Sequence, residues 1–160
     1  MNENEKIREE LLHAVNGLSD EQLNAHPETG RWSIIQVLDH LYLMERAITK
    51  SISDKLKSDD SFPAVDKPIE LTLNREVKVL APPFVIPSES FQTLSEVKDK
   101  LSESRKAFVQ VVDDAKEMDL EQKSFPHPLF KDLSLKQWIT FVGLHEKRHL
   151  LQMEELKTKL

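Results

Sequence analysis

The chain has 160 residues, with 22 lysines and arginines against 28 aspartates and glutamates, so its formal net charge is −6 at pH 7. This length predicts a single domain over residues 1–160, and the acidic balance argues against a surface that binds nucleic-acid phosphates. The absence of cysteine excludes disulfide scaffolds, thiolate metal sites and cysteine nucleophiles. No apolar run approaches the ~20 residues that span a bilayer, and no signal peptide is evident. We therefore expect a cytoplasmic protein with no membrane or nucleic-acid partner.

The first part of the chain carries two amphipathic segments. Apolar residues at helical spacing predict a first helix over about residues 4–18. A capping-box pattern at Ser19 starts a short helical turn, and a second such pattern at Ser33 starts the next long helix. The apolar stripe of this second helix continues over about residues 33–54.

A long irregular connection separates these helices from two more. Five of the eight prolines lie within residues 55–89, which predicts a crossover rather than a helix. Because so long a connection is unusual in a compact domain, we expect it to pack across the helices. Apolar stripes predict a third helix over about 90–117 and a fourth over about 134–158, while Pro126 and Pro128 exclude helix between them. A third capping-box pattern, at Ser134, marks the start of the fourth helix. The pattern predicts an all-α four-helix bundle.

Three of the six histidines lie on apolar helix faces. His145 and His149 are one turn apart on the apolar face of the fourth helix, and His40 lies on the inward face of the second. An imidazole in a core is costly unless its nitrogens have partners, and a divalent ion such as Zn, Ni, Fe or Cu supplies them. The residues alone leave a metal site and a structural histidine cluster as equal alternatives. The other three histidines are expected on the surface or as local caps: His13, His26 and His127.

Residues 145–149 read His-Glu-Lys-Arg-His, which also fits the helix of zinc proteases with Glu146 as general base. We reject that interpretation. The residues after His149 include neither the glycine nor the further histidine of metzincins, and no upstream strand pattern predicts a sheet that would position a peptide.

Several segments resemble signatures of the DinB-like metalloprotein superfamily. Residues 31–41, Arg-Trp-Ser-Ile-Ile-Gln-Val-Leu-Asp-His-Leu, with Glu45 one turn later, resemble its second-helix signature. Residues 144–150, Leu-His-Glu-Lys-Arg-His-Leu, resemble its final-helix signature. The segments 75–87 and 127–138 are similar to the connections of the DinB_2 branch. The resemblance covers essentially the whole chain.

This resemblance implies an up-down-down-up bundle with the long crossover between its second and third helices. It also implies a divalent metal, commonly Zn or Ni, held by His40, His145 and His149. Family members with assigned activities are thiol S-transferases that use low-molecular-weight thiols such as bacillithiol, or a related mycothiol-dependent isomerase. Others are described as metal-dependent hydrolases.

Three protein ligands leave a coordination position open, which is typical of a catalytic metal. Our leading hypothesis is an enzyme that transfers a low-molecular-weight thiol onto an electrophilic small molecule, with the metal holding the thiol as thiolate. The alternatives are a hydrolase that uses metal-bound hydroxide and a non-catalytic bundle that binds metal or a small ligand. The apolar stripes leave a monomer and a homodimer open.

Six further residues near the histidines are candidates for supporting roles. Three carboxylates are candidate hydrogen-bond partners that fix the imidazole tautomers: Asp39, Glu45 and Glu146. Two aromatic residues and one cation are candidates for the pocket, the cation as a contact for an anionic thiol: Trp32, Trp138 and Arg148. The alternative for each is structural, as an exposed helix charge or a core aromatic residue.

Overall fold

A computed structural model of the protein describes residues 2–160, and helices dominate it. Its helices and strands are, in chain order, α1 (Glu3–Ala14), α2 (Asp20–Asn24), α3 (Ile34–Lys57), α4 (Leu94–Asp114), α5 (Glu117–Gln122), β1 (Ser124–His127), β2 (Lys131–Ser134) and α6 (Leu135–Lys157). Among the described residues, no helix combines the length and apolar character needed to cross a membrane.

The ends of the long helices follow local capping chemistry. Ser33 begins α3 with a complete capping box, in which its side chain accepts from the amide of Gln36 and the Gln36 side chain accepts from the amide of Ser33. A capping box at Thr93 begins α4 at Leu94, whereas the apolar stripe predicted a start near residue 90. The first helix ends at Ala14, short of the predicted residue 18, and the turn that follows places Gly17 at a positive φ.

The four long helices form an up-down-down-up bundle, as predicted. Asp39 pairs with Lys100, and Glu45 further along α3 pairs with Arg105, so α3 and α4 run parallel. The contacts between α1 and α6 also follow the same order along both helices, so α1 and α6 run parallel. This pair of helices is antiparallel to the pair formed by α3 and α4. Two adjacent long helices that run parallel need a long crossover between them, which residues 58–93 supply.

Two apolar clusters form the core on either side of the middle of α3 and α6. One lies toward the start of α3 and includes Leu11, Leu23, Ile34, Leu38 and Met153. The other lies toward its end and includes Ile52, Phe108, Leu133, Leu135 and Trp138. Both clusters pack residues of α3 against residues of α6, so the backbone of these two helices is held firmly on each side of the three inward-facing histidines.

A ring of buried charges crosses the bundle beside these clusters. Arg8 contacts Glu146 at 2.6 Å and Glu45 at 3.2 Å. Arg105 contacts Glu45 at 2.7 Å and Glu146 at 2.9 Å. Ser104 donates a further hydrogen bond to Glu45 at 2.6 Å. Each guanidinium therefore bridges the same two carboxylates, and each of the four long helices contributes one charge.

The crossover packs across the bundle, as expected, and α6 holds it in place. It contains two short 3₁₀ turns, Ile69–Leu73 and Pro83–Val85, which bury Ile69 and Val85. The guanidinium of Arg148 donates to the carbonyl oxygens of Thr72 at 2.9 Å, Asn74 at 2.7 Å and Val77. These bonds satisfy backbone acceptors of a segment that lacks regular structure, so the crossover forms a wall rather than a loose loop.

Strands β1 and β2 form an antiparallel hairpin in which Ser124 pairs with Ser134 and His127 pairs with Lys131. Lys131 adopts φ 62° at the turn. The hairpin lies where the sequence excluded helix, and it adds a small sheet to the otherwise helical fold.

Candidate metal centre

Three histidines from two helices converge in the middle of the bundle. His40 projects from α3, while His145 and His149 project from successive turns of α6. The Nε2 atom of His145 lies 3.2 Å from that of His40 and 3.1 Å from that of His149. One ligand nitrogen from each residue lies within 4.8 Å of the other two. Sequence spacing predicted this convergence, because i and i+4 positions share a helix face.

The outer ring nitrogens of two of these histidines have fixed partners. His40 Nδ1 lies 2.7 Å from the carbonyl oxygen of Val85, and His149 Nδ1 lies 2.7 Å from Oε1 of Gln152. A carbonyl oxygen only accepts hydrogen bonds, so each Nδ1 carries the proton. The Nε2 atoms therefore present lone pairs toward the centre of the cluster, which is the tautomer that a metal ligand needs.

Burial keeps all three imidazoles neutral. Burial is the largest effect on the pKa of His40, which it lowers. Burial also lowers the pKa of His149 to about 3, and repulsion from the neighbouring His40 ring, when that ring is protonated, acts in the same direction. The pKa of His145 lies well below its usual value for the same reason, assisted by its two histidine neighbours. Neutral imidazole is the form that binds metal, so protons compete weakly for this site near pH 7.

The geometry fits a divalent ion. Ligand bonds of 2.0–2.1 Å with tetrahedral angles place neighbouring nitrogen atoms about 3.3 Å apart, close to the observed Nε2 separations of 3.1 and 3.2 Å. Three uncharged nitrogen donors suit Zn or Ni better than Mg or Ca, which prefer oxygen. His40, His145 and His149 can therefore hold a metal ion.

The cluster forms part of the wall of a cavity of about 450 Å³. Met44, Phe130 and Phe141 supply apolar wall, and the crossover supplies another side of it through Val77 and Leu80. A ligand of small-molecule size can therefore enter and reach the three histidines.

The rim of this cavity is cationic although the protein is acidic overall. It includes Arg31, Arg75, Lys78 and Arg148, and among the described residues no aspartate or glutamate lines the cavity. Glu155 lies just outside, where Arg75 binds it at 3.1 Å. The hydrogen bond from Arg75 lowers the pKa of Glu155, and the charges of Lys78 and Arg31 act in the same direction. Arg31 likewise pairs with Glu28 at 2.9 Å. Two of the four cations thus have carboxylate partners, and Lys78 and Arg148 leave an excess of positive charge at the cavity mouth.

The three carboxylates expected beside the histidines have other partners. Asp39 accepts from the Ser88 amide at 3.0 Å and pairs with Lys100 at 3.3 Å. Glu45 and Glu146 belong to the buried ring of charges. Among the described residues, none of the three hydrogen-bonds to an imidazole. This expectation was wrong because buried guanidinium groups and a backbone amide bind these carboxylates.

Two of the three residues that were candidates for the pocket line the cavity, and the third does not. Trp32 lines the cavity, with its ring centroid 5.0 Å from that of His40. Trp138 takes the alternative role of a core aromatic residue: it is buried against Phe125, at a centroid distance of 4.3 Å, and its indole N–H donates to the Phe125 carbonyl. Arg148 lines the cavity, but its N–H groups bind the crossover backbone, so its first role is structural.

His127 was expected on the surface or as a local cap; its Nδ1 does accept from the nearby amides of Leu129 and Phe130, but the residue is half-buried and lines the cavity. It packs against Phe141 at a centroid distance of 4.6 Å, and burial lowers its pKa to about 4. The signal that could have indicated this position was the apolar run Pro128-Leu129-Phe130 next to it.

The fold and the site together define the class of the protein: a four-helix bundle whose centre holds three histidines that can bind a metal ion. Comparison with known proteins gives the family. The sequence model of the DinB superfamily matches residues 3–153. An uncharacterized protein of Bacillus subtilis (strain 168), YuaE, is 38% identical over 155 residues, which cover 97% of this chain and 95% of YuaE. The chain belongs to the DinB superfamily, in its DinB_2 branch. The crystal structure of TT2238, a four-helix bundle protein, matches with a TM-score of 0.66 and 21% identity over 96% of this chain and 94% of TT2238, which supports the fold.

Proposed function

We propose that this protein is a divalent-metal-dependent enzyme that transfers a low-molecular-weight thiol onto an electrophilic small molecule. The observation that carries the proposal is the convergence of three neutral imidazoles, His40, His145 and His149, on the wall of an open cavity. The three histidines would hold a divalent ion with a coordination position left open, and the ion would supply the positive charge that favours the deprotonated form of a thiol there.

The chain's own residues support this chemistry in three ways. Val85 and Gln152 hold two of the imidazoles in the ligand tautomer. Apolar residues such as Phe141 exclude water from one side of the site, and the cavity of about 450 Å³ accommodates a thiol together with a small electrophile. The chain contains no cysteine, so any thiol in the reaction comes from a small molecule.

The cationic rim favours a thiol that carries negative charge. Lys78 lines the same cavity as the three histidines, so an acidic group of the ligand can approach it while the sulfur points toward the histidines. In the reaction that we propose, the thiol releases its proton to solvent water and a bond forms between its sulfur and an electrophilic carbon. The leaving group departs from that carbon with the electron pair of the broken bond.

The test combines metal analysis with a thiol-dependence assay. Untagged protein is loaded with Zn or Ni, and the metal content is measured by elemental analysis. The loaded protein is then incubated with 1-chloro-2,4-dinitrobenzene and N-acetylcysteine, and thioether formation is followed by absorbance. We expect turnover above the uncatalysed rate that requires thiol and metal together, and its loss in His145→Ala.

The alternatives give different results in the same assay. Turnover of p-nitrophenyl acetate without thiol, and no thioether formation, identifies a hydrolase. One equivalent of bound metal with no turnover of either substrate identifies a binding protein. Less than a tenth of an equivalent after incubation with Zn or Ni contradicts the metal site itself.

A further inference from the structure

His127 is a fourth histidine of the cavity, and its hydrogen bonds fix its tautomer. Its Nδ1 atom accepts from the amide of Leu129 at 3.0 Å and from the amide of Phe130 at 3.2 Å. An atom that accepts hydrogen bonds carries no proton, so the ring proton lies on Nε2. The hairpin turn between β1 and β2 therefore sets which edge of this imidazole can donate.

The edge of the ring that carries the Nε2 proton is not used by the hairpin backbone. His127 is half-buried and lines the cavity, while its Nδ1 edge is turned to the backbone. Its ring contacts Phe141, at a centroid distance of 4.6 Å, and Trp138, at 5.1 Å. These aromatic rings and the two amide bonds restrict its rotation. In the described part of the chain, no protein atom accepts a hydrogen bond from Nε2, so this donor remains available to a ligand.

His127 also lies close to the three-histidine cluster. Phe141 packs against both, with its ring centroid 4.6 Å from that of His127 and 5.6 Å from that of His145. A ligand whose sulfur reaches the three histidines therefore places atoms a few bonds from that sulfur beside His127. Oxygen atoms at those positions would receive its N–H.

We propose that His127 donates its Nε2–H to an oxygen of the thiol bound at the site, and so selects thiols with a carbonyl or carboxylate a few bonds from sulfur. The ring stays neutral with its proton on Nε2, because protonation of Nδ1 would have to displace both amide hydrogen bonds. The inference rests on the proposed function for its choice of ligand. His127 is a positioning residue that contacts the part of the thiol that does not react.

Two substitutions separate the two edges of the ring. In His127→Asn, the side-chain oxygen takes the place of Nδ1 and keeps the amide bonds, but nothing replaces Nε2. In His127→Gln, the side-chain nitrogen takes the place of Nε2 and restores the donor, but the acceptor for the two amides is lost. A purely structural residue tolerates the first change better, whereas a ligand contact tolerates the second better.

The experiment measures binding of N-acetylcysteine to zinc-loaded protein by calorimetry, with ethanethiol as a thiol that has no oxygen. We expect His127→Asn to bind N-acetylcysteine about tenfold more weakly, to bind ethanethiol as the unmodified protein does, and to keep its Tm. We expect His127→Gln to bind N-acetylcysteine within about threefold of the unmodified protein but to have a lower Tm. In turnover, the effect of His127→Asn falls on KM rather than kcat.

Each other outcome overturns the inference. If His127→Asn leaves both affinities unchanged, or weakens both thiols equally, the residue does not contact the ligand oxygen. If neither thiol binds the unmodified zinc-loaded protein, the inference and the proposed function fail together, whereas variants without effect on a bound thiol contradict the inference alone. Nitrogen NMR of the unmodified protein tests the tautomer without any substitution, and a proton on Nδ1 of His127 contradicts it.

Discussion

The imidazole of His40 donates through Nδ1 to the carbonyl oxygen of Val85 at 2.7 Å, across 45 residues of sequence. Val85 closes the second 3₁₀ turn of the crossover and is buried. The segment that walls the cavity therefore also orients one side chain of the three-histidine cluster. Gln152 performs the corresponding task for His149 from within α6. Both contacts lie outside the cluster and act on it through the imidazole ring.

Replacement of Gln152 with leucine tests this orienting role. The change removes the acceptor of His149 Nδ1, so the ring can rotate and exchange tautomers. We expect the affinity for Zn to fall about tenfold, the lower end of the usual effect of losing such a partner, as measured by competition with a chromogenic chelator. Gln110→Leu is the matched control, since Gln110 is exposed on α4 and bonds only to Asp114. Equal affinities of the two variants would contradict the role.

His145→Ala tests whether metal binding and folding are separable. His145 contributes the nitrogen that lies near both others, so the variant should lose metal. The two apolar clusters do not depend on it, and we therefore expect the far-UV circular dichroism of a folded bundle. The exposed His13 supplies the control, because His13→Ala should retain one equivalent of metal. Loss of helical signal together with metal would show that the metal drives folding.

Arg105→Met tests the buried ring of charges. The substitution removes the cation that contacts Glu45 at 2.7 Å and Glu146 at 2.9 Å, and leaves Arg8 alone with two buried carboxylates. We expect the free energy of unfolding to decrease by about 3–5 kcal/mol in urea titrations. Arg46→Met removes an exposed arginine from α3 and should change the free energy of unfolding by less than about 0.5 kcal/mol. Similar values for the two variants would mean that the ring contributes little.

The lowered pKa of His127 predicts a pH dependence of stability. Burial lowers this pKa to about 4, against 6.5 for a free histidine. Between these values the unfolded chain binds a proton that the folded chain does not, so the contribution of His127 is complete above pH 6.5 and is lost as the pH falls toward 4. We expect His127→Asn to lose less stability than the unmodified protein between pH 7.5 and pH 5. Urea titrations at several pH values measure this, with the exposed His13→Asn as control; parallel curves would contradict it.

The charge of the cavity rim predicts a selective effect of Lys78. Lys78→Glu should weaken binding of N-acetylcysteine to zinc-loaded protein about fivefold, as for loss and reversal of a partly solvated charge. The neutral methyl ester of the same thiol should bind unchanged. Lys106→Glu makes the same change in net charge on an exposed position of α4 that does not line the cavity. If it weakens binding equally, the effect belongs to net charge and not to the rim.

The sequence predicted those features that depend on short-range spacing. Capping patterns at Ser33 and Ser134 mark the starts of α3 and α6, and both serines bond the helix amides. The inward positions of His40, His145 and His149 followed from helical periodicity, because a helix places every third or fourth residue on one face.

The features that were missed depend on contacts between distant parts of the chain. Glu45 and Glu146 look like ordinary helix charges until Arg8 reaches them from 37 and 138 residues away in sequence. His127 precedes a proline, which is typical of an exposed loop, yet the hairpin folds it against α6 and Phe141. No local pattern encodes such partners, since they are set by how the helices pack.

The ring of Arg8, Glu45, Arg105 and Glu146 has a consequence for assembly. Each charge is neutralised only when the four long helices place these residues at the same level along the bundle axis. A bundle with one helix reversed or shifted by a turn would leave an unpaired charge in the apolar core. The free-energy cost of that charge is comparable to the free energy of unfolding of a domain of this size. The ring of charges thus favours one arrangement of the four helices, and the same arrangement brings the three imidazoles together.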